Sequence, residues 1–306
     1  MSALEALLVG IVDYAGLFPP ASQDMRPALE NYATYLQSAD RQALGRFIVP
    51  ISRLNELEDT GKDLLPRGPG SEPWKLSVLV SGDVQSAAEQ ILEFNGHHES
   101  GSARGHAAID VVELKATNAQ DIEEHRSRLP RFITPYFEIP TSQNVTHLTR
   151  TIAQVGARAK MRTGGVTQNA FPAASEILDF MIACSTDAVA FKATAGLHHP
   201  VRGPFPLTYA PESARATMYG FVNVFLSATV LYCRADRTVA LSVLEESDPS
   251  AFNFTENAIA WRHITVDAAQ IRAARSEFAI SFGSCSFREP VDELRDLAAN
   301  PILRTM

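Results

Sequence analysis

The chain has 306 residues, of which 45% are hydrophobic, and a formal net charge of −8. This length is enough for one large α/β domain or two small ones, and the acidic balance argues against nucleic acid as the main partner. The N-terminus lacks the basic segment of a signal peptide, and no apolar run is long enough to span a membrane. Three widely spaced cysteines without a CxxC motif favour a reducing, cytoplasmic location.

Short apolar runs recur along the chain and alternate with amphipathic stretches. The runs predict eight strands, at residues 8–14, 46–51, 75–80, 108–114, 132–137, 157–161, 188–192 and 278–282. The stretches predict helices at residues 25–36, 84–94, 122–129, 145–155 and 173–183, and Asp24, Asp83 and Asn118 stand at positions typical of N-caps. Eight alternations predict a single (β/α)8 barrel, a TIM barrel, over residues 1–306. No GxGxxG follows the first strand, which argues against an open doubly wound sheet.

About eighty residues separate the seventh predicted strand from the eighth. We expect residues 197–277 to form an insertion over the C-terminal face of the barrel. It could serve as a lid, a specificity loop or the contact of a homo-oligomer. Within it, Gly203–Pro206 has the composition of a loop, and residues 213–233 and 268–276 have helical patterns.

Two predicted strands each carry one lysine near their end and then stop at threonine and glycine. Lys160 is followed by Thr163 and Gly164, and Lys192 is followed by Thr194 and Gly196. A lysine in an apolar run is costly unless it is paired or neutral. Burial and the neighbouring cations Arg162 and Lys192 would favour the neutral, nucleophilic amine of Lys160.

Catalytic groups of a barrel lie at the C-terminal ends of its strands. The fourth predicted strand offers two sets of candidates there, because strict alternation would turn either Asp110 or the pair Glu113 and Lys115 into the barrel. We favour Asp110. The other candidates at strand ends are Asp13, Glu138, Lys160, Arg162, Lys192 and Thr194.

Five short motifs occur in order along the chain: Val12-Asp13-Tyr14 with Pro20-Ala21-Ser22, Ile109-Asp110-Val111-Val112, Lys160-Met161-Arg162-Thr163-Gly164, Phe191-Lys192-Ala193-Thr194-Ala195-Gly196, and Phe282-Gly283-Ser284-Cys285-Ser286. In this order they resemble motifs of deoxyribose-phosphate aldolase, a Schiff-base (class I) aldolase with a (β/α)8 fold. The resemblance implies that Lys160 forms the imine, that Lys192 is the second active-site lysine, and that Asp110 relays protons. It implies no cofactor.

The chain also departs from that family. Arg162 stands where the family has a small residue, and His198 and His199 follow the second lysine motif where the family has Ile-Arg-Thr. The long segment before the last strand has no counterpart in the family. These departures predict a substrate other than deoxyribose phosphate.

Glycine-rich loops after the sixth, seventh and eighth strands predict an anion site, because their backbone N–H groups could approach a phosphate or carboxylate closely. Arg162 could bind the same anion with two hydrogen bonds. The expected partner is therefore a small anionic molecule. The residues assigned to its binding are Asp13, Arg162, Gly164, Gly165, Thr194, Gly196, His198, Gly283, Ser284 and Ser286.

Three hypotheses follow from these residues. The first is an aldolase-like lyase that forms a Schiff base at Lys160 with a small oxo compound. The second is a metal-assisted isomerase or hydrolase that uses Glu113, Glu138 and His198, although adjacent histidines without HxH or HExxH spacing do not by themselves predict a metal site. The third is a non-catalytic barrel, in which Lys160 and Lys192 would form ordinary ion pairs with no pocket around them.

Overall fold

A computed structural model describes residues 1–99, 103–143 and 145–299. Its strands are β1 (Val12–Tyr14), β2 (Leu44–Pro50), β3 (Trp74–Leu79), β4 (Ala107–Lys115), β5 (Thr134–Glu138), β6 (Arg158–Arg162), β7 (Phe191–Thr194), β8 (Gly203–Pro206), β9 (Arg215–Met218), β10 (Phe252–Phe254), β11 (Ala258–Trp261), β12 (Ile264–Asp267) and β13 (Ala279–Ser284). Eight of them form a closed parallel barrel in the order β1-β13-β7-β6-β5-β4-β3-β2. The predicted α/β barrel of the TIM type is therefore confirmed.

The helices are α1 (Ala3–Leu8), α2 (Met25–Gln37), α3 (Leu54–Gly61), α4 (Val84–His97), α5 (Ala119–Arg128), α6 (Val145–Gln154), α7 (Ala174–Thr186), α8 (Phe221–Tyr232), α9 (Arg237–Glu245), α10 (Ala268–Glu277) and α11 (Arg288–Ala299). Asp83 and Asn118 cap α4 and α5 by accepting backbone N–H bonds, whereas Asp24 stands at the N-cap of α2 without such a bond. Among the described residues, no helix is long and apolar enough to cross a membrane.

The sequence predicts that residues 197–277 form an insertion over the C-terminal face, and this is not confirmed, because the elements of the segment pack against different parts of the barrel. Strands β8 and β9 pair as a hairpin beside the C-terminal ends of the barrel strands, so the predicted loop at Gly203–Pro206 is a strand. The predicted helix at 213–233 begins only at Phe221, and the resulting α8 is buried from Phe221 to Leu231 against α7, α9, α10 and β13. The sheet β10–β12 contacts α1, the helix that precedes β1.

Strand β4 contains an irregularity that decides which of its side chains reach the site. Leu76 of β3 pairs with Ile109, but Ser77 pairs with Val111, so Asp110 is an extra residue in β4. Such a bulge interrupts the strict alternation of side chains along a strand. Whether Asp110 or Glu113 reaches the site therefore depends on how β4 pairs with β3. The sequence pattern of β4 alone does not predict this pairing.

Candidate active site at the C-terminal end of the barrel

A cavity of about 810 Å³ opens at the C-terminal ends of the barrel strands. Its apolar wall includes Phe18, Pro20, Ile48, Leu79 and Val166, and the hairpin β8–β9 with its connecting loop forms one side. The charged side chains that line the cavity are Glu113, Lys115, Glu138, Lys160, Arg162, Glu212, Arg215 and Glu289. The cavity thus combines an apolar wall with charges of both signs, as ligand sites often do.

Lys160 is the buried lysine that reaches this cavity. Its side chain is only 4% exposed, and its Nζ atom lies 2.8 Å from Glu113 Oε2 and 2.7 Å from Glu138 Oε2. Arg162, two residues further along β6, contacts Glu138 from the other side at 3.3 Å. The surroundings of the Lys160 amine are therefore anionic, which differs from the expected cluster of positive charges.

Glu113 connects the two lysines. While Oε2 contacts Lys160, Oε1 accepts hydrogen bonds from Lys192 Nζ at 2.6 Å and from Ser77 Oγ at 2.8 Å. Burial raises the pKa of Glu113, but the two ammonium groups outweigh burial and hold that pKa well below its usual range. Glu113 is therefore a buried carboxylate that stays ionised between two cations.

Lys192 is the direct neighbour of Lys160 across strands β6 and β7, as the sequence indicated, but it lies outside the cavity wall. Its Nζ atom donates to Asp13 Oδ2 at 2.6 Å as well as to Glu113, and it lies 5.5 Å from the centre of the Tyr136 ring. Burial lowers the pKa of Lys192, but the two carboxylates outweigh burial and raise that pKa above the usual lysine value. Lys192 is thus a buried ammonium ion.

Asp13 does not line the cavity. Besides Lys192, it accepts hydrogen bonds from Ser281 Oγ at 2.8 Å and from the backbone N–H of Arg46 at 2.8 Å. These donors use both carboxylate oxygens. Asp13 therefore holds Lys192, and its expected role in anion binding stays a prediction.

Asp110 pairs with an arginine and not with Lys160 or Lys192. It forms a two-pronged ion pair with Arg46 of β2, at 2.7 and 2.6 Å, and its side chain is 45% exposed. Three residues further along β4, Glu113 makes the contacts that we expected of Asp110. The signal that could have identified Glu113 was present in the sequence, because Glu113 and Lys115 were the alternative set on this strand.

Six of the ten predicted anion-binding residues line the cavity, whereas Asp13, Gly164, Ser284 and Ser286 do not. Arg162, Gly165, Thr194, Gly196, His198 and Gly283 line the cavity, as expected of a ligand site. Gly164 instead allows two loops to touch, since a Cβ atom there would lie 2.5 Å from Phe171 and 3.0 Å from Gly196 Cα. Ser284 is buried, and Ser286 Oγ accepts a hydrogen bond from the backbone N–H of Glu289.

Carboxylates that the sequence reasoning did not consider meet the two histidines after β7. His198 Nδ1 lies 3.1 Å from Glu289 Oε2, and His199 Nδ1 lies 2.8 Å from Glu293 Oε2. Glu289 and Glu293 are one turn apart on α11, and their spacing in the sequence was a signal that the two share a helix face. His198, Glu113 and Glu138, the ligand set of the metal hypothesis, do not converge on one point in the described structure.

A scan against protein-family models finds no match for this chain, and a search of curated proteins finds none either. The likeness to deoxyribose-phosphate aldolase therefore rests on the short motifs and on the barrel, and what it implies about activity stays a proposal.

Proposed function

We propose that this protein is an aldolase-like lyase that forms a Schiff base between Lys160 and a small anionic oxo compound. The observation that carries the proposal is the placement of Lys160: a buried amine that reaches a large cavity and contacts two carboxylates. An amine at the wall of a cavity can attack a carbonyl carbon, and adjacent carboxylates can move the protons that imine formation and hydrolysis require. We also propose a cytosolic location.

Imine formation needs the neutral amine, so the proton of Lys160 must pass to a base. Glu138 is suited to this step because it contacts both Lys160 and the cavity. Burial raises the pKa of Glu138, but Lys160 and Arg162 outweigh burial and keep that pKa below its usual value. A substrate that fills the cavity would exclude water, and its anionic group would engage Arg162. Both changes push the Glu138 pKa upward and favour proton transfer from Lys160.

These residues can supply and accept each proton of the reaction. The neutral Lys160 nitrogen adds to the substrate carbonyl, and Glu138 returns the Lys160 proton to the departing hydroxyl, which leaves as water as the protonated imine forms. Glu138, again a carboxylate, then accepts the proton of a substrate hydroxyl β to the imine carbon; the carbon–carbon bond breaks, the first product leaves as a carbonyl compound, and the electron pair moves into the imine to give an enamine. Glu138 gives that proton to the enamine carbon, and hydrolysis of the imine by water releases the second product. Glu113, Lys192 and Asp13 hold the Lys160 amine in place throughout.

Trapping with borohydride tests the proposal, because it reduces an imine to a stable secondary amine. We expect a panel of aldehydes and 2-oxo acids to yield an adduct on the Lys160 peptide, measured by mass spectrometry. Lys160→Met should remove this adduct. Lys115→Met is the matched control, since Lys115 also lines the cavity but is exposed. No adduct across the panel, or equal adducts on Lys115 and Lys160, would contradict the proposal.

Two observations bear on the other hypotheses. The non-catalytic hypothesis predicts no pocket at the lysines, whereas Lys160 lines a cavity of about 810 Å³. The metal hypothesis loses two of its ligands, because Glu113 and Glu138 both contact the Lys160 Nζ atom. Neither hypothesis is therefore favoured over the lyase at this site.

A further inference from the structure

We propose that His199, Glu289 and Glu293 bind one divalent transition-metal ion, of the type represented by Zn²⁺. The three residues each offer one ligand atom, and these atoms all lie within 4.8 Å of one another. In the described part of the chain, no other set of three or more histidine, cysteine, aspartate or glutamate side chains meets this spacing. The site is separate from the Lys160 cluster.

The spacing of the ligand atoms is close to what a metal ion requires. In a tetrahedral zinc site with bonds of about 2.1 Å, two ligand atoms stand about 3.4 Å apart. His199 Nδ1 already lies 2.8 Å from Glu293 Oε2 and 3.0 Å from Glu293 Oε1. The three ligand atoms, all within 4.8 Å of one another, would have to draw closer together to surround an ion. One nitrogen and two carboxylate oxygens form a donor set typical of zinc and its neighbours.

Neighbouring residues already orient two of the ligands. The ring of His199 stacks on Phe205, with 3.5 Å between ring centres and 14° between planes. The Glu289 carboxylate accepts hydrogen bonds from Tyr209 Oη at 3.2 Å and contacts His198 Nδ1 at 3.1 Å. Metal ligands are commonly held in this way by packing and by outer hydrogen bonds. An ordinary histidine–glutamate pair does not require a second glutamate or a tyrosine beside it.

The place of the three residues indicates what the ion would do. His199 and Glu289 line the cavity, whereas Glu293 lines a second, smaller cavity. His199 follows β7, and both glutamates belong to α11, which follows β13. The ion would therefore join the loop after β7 to helix α11 at the cavity wall, with three protein ligands and a remaining position for water or for an oxygen of a molecule bound in the cavity.

The test is a calorimetric titration of chelator-treated, full-length protein with zinc chloride. We expect saturable binding of one ion per chain and a rise in melting temperature as the site fills. Cobalt(II) titrated in place of zinc should develop visible absorption bands that report the coordination geometry. Both readouts are independent of any enzymatic activity, so failure here would leave the Schiff-base proposal to its own test.

Two variants locate the ion. His199→Ala and Glu293→Gln should each weaken zinc binding by at least about tenfold, because each removes one ligand. His263→Ala is the matched control, since His263 is an exposed histidine in the turn between β11 and β12 and should leave binding unchanged. Glu293→Gln is the decisive variant if His199→Ala does not fold. Non-saturable binding, or saturable binding that Glu293→Gln leaves unchanged, would overturn the proposal.

Discussion

At the scale of single residues, Glu113 is the group on which both lysines depend. Each of its oxygens contacts a different ammonium group, and Ser77 supplies a further hydrogen bond. Removing one partner of a buried ion pair leaves the other charge without compensation, which usually destabilises a protein more than the pair stabilises it. Glu113 should therefore be more sensitive to a neutral replacement than any exposed carboxylate of the barrel.

We predict that Glu113→Gln lowers the free energy of unfolding by about 3–5 kcal/mol, because the isosteric amide leaves Lys160 and Lys192 facing each other without a shared anion. Urea denaturation measures the change. Asp110→Asn is the matched control on the same strand: its ion pair with Arg46 is partly exposed, so the loss should be about 1 kcal/mol or less. Equal losses in the two variants would contradict the assigned burial and pairing of Glu113.

At the scale of elements, the hairpin β8–β9 determines access to one side of the cavity. Its connecting loop carries Tyr209, which is 58% exposed and yet contacts Glu289 and Cys285, the latter with 3.7 Å between Oη and Sγ. Cys285 itself is buried, and burial raises the pKa of its thiol. The loop of the hairpin therefore shields Cys285, the residue that follows β13, from solvent.

We predict that Tyr209→Ala increases the alkylation rate of Cys285 by at least about tenfold, because the truncated side chain opens the thiol to solvent, and the burial that raises the Cys285 pKa outweighs the Tyr209 hydrogen bond that lowers it. Maleimide labelling followed by peptide mapping measures the rate. Cys233 is an internal control, since it is exposed in the same chain and lies outside the cavity. If Cys285 reacts at the same rate in both proteins, the hairpin does not cover it.

At the scale of the whole molecule, the charged cluster should determine how stability responds to pH. The folded-state pKa of Glu113 is lowered, so its contribution is complete above the unfolded value of about 4.3 and is lost as pH falls toward the folded pKa. The folded-state pKa of Lys192 is raised. Its contribution is therefore complete below the unfolded value of about 10.4 and is lost as pH rises through the folded pKa.

We predict that the difference in unfolding free energy between the unmodified protein and Glu113→Gln is constant near neutral pH and shrinks below about pH 4.3, because protonation of Glu113 in the unfolded chain then favours unfolding. Denaturant titrations at a series of pH values measure the difference. A difference that stays constant down to the acid limit of reversible unfolding would show that the ionisation of Glu113 is not linked to folding.

The barrel strands could be predicted because each is a local apolar run. The runs at residues 157–161 and 188–192 predict β6 and β7, which the structure has at Arg158–Arg162 and Phe191–Thr194, with Lys160 and Lys192 side by side. The hairpin β8–β9 was missed, since Gly203–Pro206 holds two prolines and a glycine, which are typical of loops. Pairing with β9 outweighed that local preference.

Hydrophobic periodicity and chain order are enough to predict the eight-stranded barrel and the two lysines at neighbouring strand ends, because a parallel barrel preserves both. The groups that surround those lysines cannot be predicted in this way. The extra residue in β4 brought Glu113 rather than Asp110 to them, and the return of α11 to the loop after β7 brought Glu289 and Glu293 to the histidines. Contacts of this kind depend on strand register and helix packing between distant segments, and no local pattern records them.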